Sequence, residues 1–490
     1  MATPARIRVE SVLLAAVHKH TTAVCVVPVT QHSRRPRQIH TTKHQDAASM
    51  SPSMSAIRPN SPPASSGNIK ATSGVSTAQI SALSCLPLSS VLRTYLITSI
   101  SSSPFLLNTS TVLLRRMLES KNPLLNLRNP LLRSLLYHTF YKQFCMGSSR
   151  AEIDKVCSDL RAQGYSGVIL EYALEVLKDA EGAEVNEEQD VKIWRKGMLD
   201  TVAIAQAGDF VGLKWSGMGP AAMRRMADDA EPTERMSEAM HALCSAAKEK
   251  NVSLLPAAEE TWSLTGFHNW SLKMQRVYNL NGKSVVYSTY QAYLKQTPAT
   301  VARHLELAQK ENFTLGLKLV RGAYLGSEKR ELIHPSIEAT HEAYDGIAAA
   351  LILRERNSWV DAPAATAWPK TNVMLATHNA ISVSRAQALR QQQAASRQSL
   401  TTLTFAQLQG MADEVSCTLV AAAKAAEVAG GKAVREKVFK CSTWGTMTEC
   451  LNYLLRRAAE NKDAAGRTVD TRRAMGREIL RRGRGVVGMN

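Results

Sequence analysis

The amino-acid sequence predicts an α/β fold: a (β/α)8 barrel of the TIM type, with an N-terminal helical segment and a C-terminal helix that faces the ligand. Three observations carry that expectation. After Phe140, short apolar, β-branched runs alternate with longer stretches of helical period, the pattern of parallel βα units. Eight such runs fall within about 300 residues, which fits a closed barrel better than an open sheet. None is followed by a GxGxxG fingerprint or a Walker loop, so any dinucleotide must be held at the C-terminal strand ends by another scheme.

In chain order, residues 1–45 read as a mitochondrial presequence. Arg6, Arg8 and Lys19 interleave with the apolar run Val12–Val17, and Arg34, Arg35 and Arg37 precede Ile39-His40-Thr41-Thr42. A cationic, acid-poor, hydroxyl-rich segment can form an amphipathic helix and move toward a negative potential; a disordered basic tail is the alternative. His18, Lys19 and His20 interrupt Val12–Val27, which is too short and too polar to span a bilayer. The net charge of +18 divides accordingly: residues 1–118 hold 12 Lys and Arg against Glu10 and Asp46, and the other 372 hold 48 basic and 40 acidic residues. The second balance is ordinary for a domain of that size.

Residues 46–84, rich in Ser, Pro and Ala and almost uncharged, read as a disordered linker. Residues 85–138 read as an N-terminal helical segment, whose apolar runs Val112–Leu118 and Leu124–Leu136 either cover a barrel end or lie on a membrane surface. The eight cysteines include no CxxC pair, and His241 beside Cys244 lacks a second pair, so reduced thiols and no metal site are expected.

The barrel domain spans residues 139–485. Its expected strands are Gly167–Glu171, Phe210–Lys214, Val252–Pro256, Ser284–Thr289, Leu315–Val320, Val373–Thr377, Thr402–Phe405 and Lys437–Cys441, with helical periods such as Ala151–Gln163 and Met236–Asn251 between them. Pro363–Pro369 reads as a loop insertion before the sixth strand. The Gln/Ala-rich Ala386–Ser399 leaves the start of the seventh open.

Two constellations carry chemistry. Tyr453, Arg456, Arg457 and Glu460 stand at offsets 0, +3, +4 and +7 in a helical segment, and so share one face. Two adjacent arginines can chelate a carboxylate through charge-assisted bonds, each worth about 1.5–3 kcal/mol when desolvated. The competing reading is a solvated Arg/Glu face with ordinary i,i+4 pairs. The second constellation is polar strand ends: Lys214 after the second strand, Lys318 and Arg321 around the end of the fifth, Thr377-His378-Asn379 after the sixth. A single lysine there is usually a snorkelling surface residue, but three such strands describe a pocket for phosphates or a carboxylate.

The motifs resemble those of the proline dehydrogenase family. Lys318-Leu319-Val320-Arg321-Gly322-Ala323-Tyr324 followed by Ser327-Glu328 is similar to its fifth-strand signature, and Ala376-Thr377-His378-Asn379 to its sixth. Phe405–Asp413 resembles its seventh, and Tyr453–Asn461 its substrate-binding helix, with weaker echoes at Tyr290–Leu294, Ala258–Glu260 and Phe144–Gly147. The set runs in family order from about residue 139 to about 482. The resemblance implies that Arg456 and Arg457 bind the carboxylate of L-proline with Lys214 as a third cation, that Tyr453 and Tyr324 pack around its ring, and that Glu460 orients the arginines. It implies FAD contacts from Gln291, Lys318, Val320, Gly322, Ala323, Thr377, His378, Asn379 and Gln407, hydride transfer from proline C5 to flavin N5 giving 1-pyrroline-5-carboxylate, and a quinone of the mitochondrial inner membrane as acceptor. No residue is an obvious acid or base, and none is required if proline binds as the free amine.

The sequence departs from the family at three points. Cys441 stands where a Tyr is frequent, Ala257 where bacterial members carry Asp, and Leu325 where some relatives have an aromatic residue. The first keeps hydroxyproline dehydrogenation open as a rival on the same scaffold, because one ring hydroxyl needs only a small pocket change. A flavin-holding but idle barrel is a further rival, which the intact motif set opposes. The Arg-rich segment Arg467–Arg484 is the best footprint of a nucleic-acid partner, yet no RNA-recognition motif or zinc finger accompanies it. A helix closing the barrel or touching anionic lipid is the expectation there, and no nucleic acid.

Overall fold

The computed structural model describes residues 81–173, 186–361, 368–430, 433–460 and 468–486. The expected presequence, nearly all of the linker and most of the loop insertion before the sixth strand lie outside these residues. Eight parallel strands form the barrel: β1 (Gly167–Tyr172), β2 (Phe210–Leu213), β3 (Ser253–Pro256), β4 (Ser288–Gln291), β5 (Leu315–Val320), β6 (Thr371–Ala376), β7 (Thr402–Leu408) and β8 (Lys437–Trp444). Their order is β3-β2-β1-β8-β7-β6-β5-β4, with β1 paired to β8 from Gly167↔Phe439 to Tyr172↔Trp444. A bridge between Leu254 and Val286 closes the circle between β3 and β4.

Strand alternation sorts the side chains into two cores. Residues such as Leu170, Val211, Leu317, Leu375 and Phe405 face outward into the layer shared with the surrounding helices. Ile169, Phe210, Leu255, Tyr287, Met374 and Phe439 fill the barrel interior, where Phe210 meets Tyr287 and Phe439 edge to face. The interior is thus packed, and a ligand can enter only at the mouth formed by the C-terminal strand ends.

Several strand boundaries differ from the sequence expectation: β6 begins at Thr371, two residues before Val373, and β8 runs to Trp444, three residues beyond Cys441. β4 begins at Ser288, not Ser284, because the Asn279 side chain takes over the preceding backbone: its Oδ1 accepts from the Val285 and Val286 N–H groups, and its Nδ2 donates to the Val286 and Thr314 carbonyls. β7 continues to Leu408, three residues beyond Phe405, which fixes the direction of Gln407.

The N-terminal segment is helical, over Leu88–Ser101, Pro104–Glu119 and Pro130–Leu136. The first element among the described residues is a turn at Ala82–Cys85, overlapping the end of the expected linker, where Leu83 is buried in one cluster with Cys417 and Met475. The Arg-rich C-terminal helix (Thr468–Val486) packs on Leu88–Ser101 and on the helix after β7, rather than closing a barrel end. Its buried Glu478 holds Arg481 and Arg482, and Arg482 donates to the Leu83 and Leu86 carbonyls.

Two buried histidines tie stability to pH. His268 Nδ1 bonds Ser288 Oγ at 2.9 Å and His304 Nδ1 bonds Tyr290 Oη at 2.7 Å. Burial lowers the pKa of both, that of His304 to about 3. Each is therefore neutral when folded and free to take a proton when unfolded, below about pH 6.5. Stability should fall as pH drops below that value, by about 1.4 kcal/mol per pH unit per histidine. Urea midpoints at pH 7 and pH 5 for the wild type and His304→Asn test this, since the variant should show the shallower dependence.

Candidate active site

The inward-facing strand ends assemble the floor of the site. Glu171 is the penultimate residue of β1, Lys214 follows β2, Gln291 ends β4, Lys318 and Val320 lie on β5, and Cys441 lies on β8. Gly212 lets Glu171 lean across β2, since a Cβ there would stand 2.6 Å from the glutamate side chain. Behind Lys214, Ser216 Oγ donates to Glu259 Oε1 at 2.6 Å. The buried amide of Gln291 ties two loops together: its Nε2 donates to the Glu259 carbonyl at 3.1 Å and its Oε1 accepts the Ala323 N–H at 2.9 Å. The turn after β5 runs close over Tyr293, where a Cβ on Gly322 would meet the ring at 2.5 Å. Hydrogen bonds from Thr261 N–H to Glu328 and from Ser327 to Glu260 fasten this turn to the loop after β3.

A helix over Met447–Glu460 supplies the roof. Thr446 and Glu449 form a reciprocal capping box, which starts the helix directly after β8. Its apolar positions Met447, Cys450, Leu451, Leu454 and Leu455 recur at helical spacing and pack on Leu114, Leu136, Phe140 and Tyr141. Beside this face stand Tyr453 and Arg457, and opposite it Arg456, all half-buried. Tyr453 Oη donates to Glu171 Oε2 at 3.3 Å, and the Arg457 guanidinium stands 5.5 Å from the Tyr453 ring centre. Across the mouth, Tyr324 Oη donates to the Ala258 carbonyl at 2.8 Å, and Lys214 Nζ lies 5.7 Å from its ring centre. The side chain of Glu460 lies outside the described residues.

The remaining expected residues divide between mouth and outer layer. His378 is half-buried at the end of β6, its Nε2 accepting the Leu408 N–H at 3.1 Å. Asn379 caps the next helix by accepting the Ser382 N–H. Thr377 Oγ1 accepts from Arg321 at 2.5 Å and from the Asn379 N–H at 3.1 Å. Arg321 stacks 4.3 Å from the Tyr344 ring centre and also donates to His341 and Ser382, so it belongs to the outer layer and not to the mouth. Gln407 shares the outward parity of Phe405; its buried amide donates to the Thr377 carbonyl and accepts from Ser416. Glu171 is the residue that motif reading passed over, although an acid near the end of an apolar strand was a usable signal.

Electrostatics keep the polar groups of the mouth in defined states. Burial raises the Tyr324 phenol to about 12, with Lys214 opposing. Burial and the neighbouring Glu171 carboxylate push Tyr453 well above the usual phenol range, and the same two causes hold Cys441 as a thiol. Glu259 is raised by burial and pulled back by Lys214. The site therefore offers neutral phenols and a neutral thiol, with Arg457 and Lys214 beside the two phenol rings. It is equipped to bind and orient an anion next to apolar ring surface, not to attack as a thiolate or phenolate.

Comparison with known proteins agrees with this architecture. A family model described as Proline dehydrogenase matches residues 153–470. The chain is 32% identical over 246 residues to the Schizosaccharomyces pombe protein named "Probable proline dehydrogenase, mitochondrial", covering 49% of this chain and 48% of that one. It is 31% identical to human "Proline dehydrogenase 1, mitochondrial" (51% and 39% covered) and 26% identical to the Arabidopsis thaliana protein of the same name (71% and 75%). The chain thus spans about half, or less, of the length of the first two relatives. Among solved structures, that of proline utilization A from Bdellovibrio bacteriovorus, inactivated by N-propargylglycine, superposes with a TM-score of 0.53 at 15% identity, covering 68% of this chain and 34% of that one. That likeness supports the barrel fold.

Proposed function

The chain belongs to the proline dehydrogenase family, and from that premise we propose that it oxidises L-proline to 1-pyrroline-5-carboxylate in the mitochondrion, with FAD as cofactor and a quinone of the inner membrane as final acceptor. This would be the first step of proline breakdown. The observation that carries the reading is the placement of Arg457 beside the Tyr453 ring and of Lys214 beside the Tyr324 ring. A small amino acid with an apolar ring and one carboxylate fits such a site.

The residues present also fit FAD. Lys318 is an inward cation above an apolar barrel interior, and Gly322 and Ala323 expose backbone at the rim where a phosphate-bearing ligand can approach. Lys318, Val320, Gly322, Ala323, His378 and Asn379 would hold it; Gln291, Thr377 and Gln407 shape the site from behind. When bound, FAD supplies the two-electron acceptor. The chain's own residues do the rest. Arg456, Arg457 and Lys214 neutralise the carboxylate, the two phenols wall the ring, Glu171 fixes Tyr453, and Glu460 would brace the arginines from the next helical turn. Proline entering as the free amine needs no protein base.

Anaerobic addition of proline to purified protein tests cofactor, substrate and half-reaction together: the flavin absorbance should bleach. A flavin that dithionite reduces and proline does not would overturn the reading. The Cys441 thiol beside Glu171, in a place where relatives often carry a tyrosine, favours a second reading in which trans-4-hydroxyproline is also accepted. Side-by-side turnover of the two amino acids decides between them.

A further inference from the structure

Twelve of the twenty-four large apolar side chains exposed among the described residues come from residues 88–135. The helix Pro104–Glu119 is apolar on two opposite faces. One carries Leu107, Leu114 and Leu118 and packs, through Leu114, on Leu451 and Leu455 of the roof helix. The other carries Phe105, Leu106, Val112 and Leu113, which are 76%, 45%, 44% and 57% exposed. Leu124, Leu125, Leu131 and Leu135 continue this exposure through the following turn and helix. Apolar side chains on a second face call for an apolar environment, and here protein covers only the first face among the described residues. Exposed Arg115, Lys121, Arg128 and Arg133 accompany the exposed patch and Arg116 stands within it, against Glu119 as the one carboxylate within residues 104–136. No described helix is long and apolar enough to cross a membrane.

We propose that this helical hairpin, residues 104–136, docks the protein on the surface of an anionic phospholipid bilayer, with Phe105 and Leu113 entering the acyl boundary and the five cations meeting headgroup phosphates. Combined exposed apolar area and uncompensated positive charge is the chemistry of interfacial binding, whereas a protein partner of ordinary composition would leave the cations unmatched. The surface lies directly behind the helix that carries Arg456 and Arg457. The proposal stands on the hairpin itself and holds whatever the substrate is.

The test uses the full chain and vesicles of phosphatidylcholine with or without phosphatidylglycerol. The wild type should co-sediment with the anionic vesicles in a salt-sensitive manner, and a Phe105→Trp reporter should shift its emission to the blue on binding. Phe105→Glu/Leu113→Glu should lower partitioning about tenfold or more with the thermal unfolding midpoint unchanged, since both side chains lie in water in the free protein. Arg115→Glu/Arg116→Glu should abolish the preference for the anionic lipid. An unshifted emission spectrum of the Phe105→Trp reporter, or unchanged partitioning of the apolar double variant, would overturn the proposal. So would a wild-type dimer that excludes vesicles and that the apolar double variant dissolves, because the face would then be covered by a second copy.

Discussion

Replacing Arg457 with alanine should raise the KM for proline by about 10- to 100-fold while leaving bound flavin in place. The range is that of one charge-assisted bond to a carboxylate, about 1.5–3 kcal/mol. Arg457 lies 5.5 Å from the Tyr453 ring centre, so its loss removes the cation beside that ring wall. Lysine at the position keeps the charge but not the planar fork, and Arg457→Lys should recover only part of the loss. Tyr453→Phe removes the bond to Glu171 but not the wall, and its smaller effect on KM would separate ring packing from hydrogen bonding. Proline kinetics unchanged in an Arg456→Ala/Arg457→Ala double variant would remove the roof helix from the site.

The largest expected effect on stability lies outside the mouth. Lys440 is 2% exposed on the outer side of β8, and its ammonium has a complete set of acceptors: Asp413 at 2.8 Å and the carbonyls of Met411 and Leu408 at 3.0 and 3.3 Å. Those bonds hold the turn in which Ala412 takes a left-handed backbone, φ 49°. Asp413→Ala would leave a buried cation without its carboxylate, which should cost about 3–5 kcal/mol. The double change Asp413→Leu/Lys440→Met removes both charges and should recover much of that loss, because the desolvation penalty disappears with the pair. Urea denaturation of the single and double variants measures the difference, and an Asp413→Ala protein as stable as wild type would contradict the account.

What could be read from sequence follows from which rule governs each feature. Strand-helix alternation and the roof helix were legible because they rest on local periodicity: Met447 to Leu455 marks the buried face, with Tyr453 and Arg457 beside it and Arg456 opposite. The start of β4 was not, because a single side chain, Asn279, captures a backbone six residues ahead of it. Gln407 entered the expected cofactor contacts through its motif, although Phe405 two residues earlier belongs to the outer core and strand parity turns both the same way. Arg321 was likewise placed at the strand end by sequence but turned outward by its stacking on Tyr344. The place of Glu171 at the mouth rests on the register of β1 against β8 and on the hydrogen bond from Tyr453, although an acid near the end of an apolar strand hinted at it.

The pairing of Leu88–Ser101 with Thr468–Val486 carries a consequence for how the chain is made. Arg482 reaches the Leu83 carbonyl across 399 residues of sequence, and β1 finds its neighbour β8 only after about 270 further residues have been synthesised. Contacts of such separation form slowly and late. A nascent chain can therefore assemble βα units in order, yet the ring stays open and its first helices unanchored until the last segment has been made. That delay leaves the first helices without their C-terminal partner until the segment from Thr468 onward has been made.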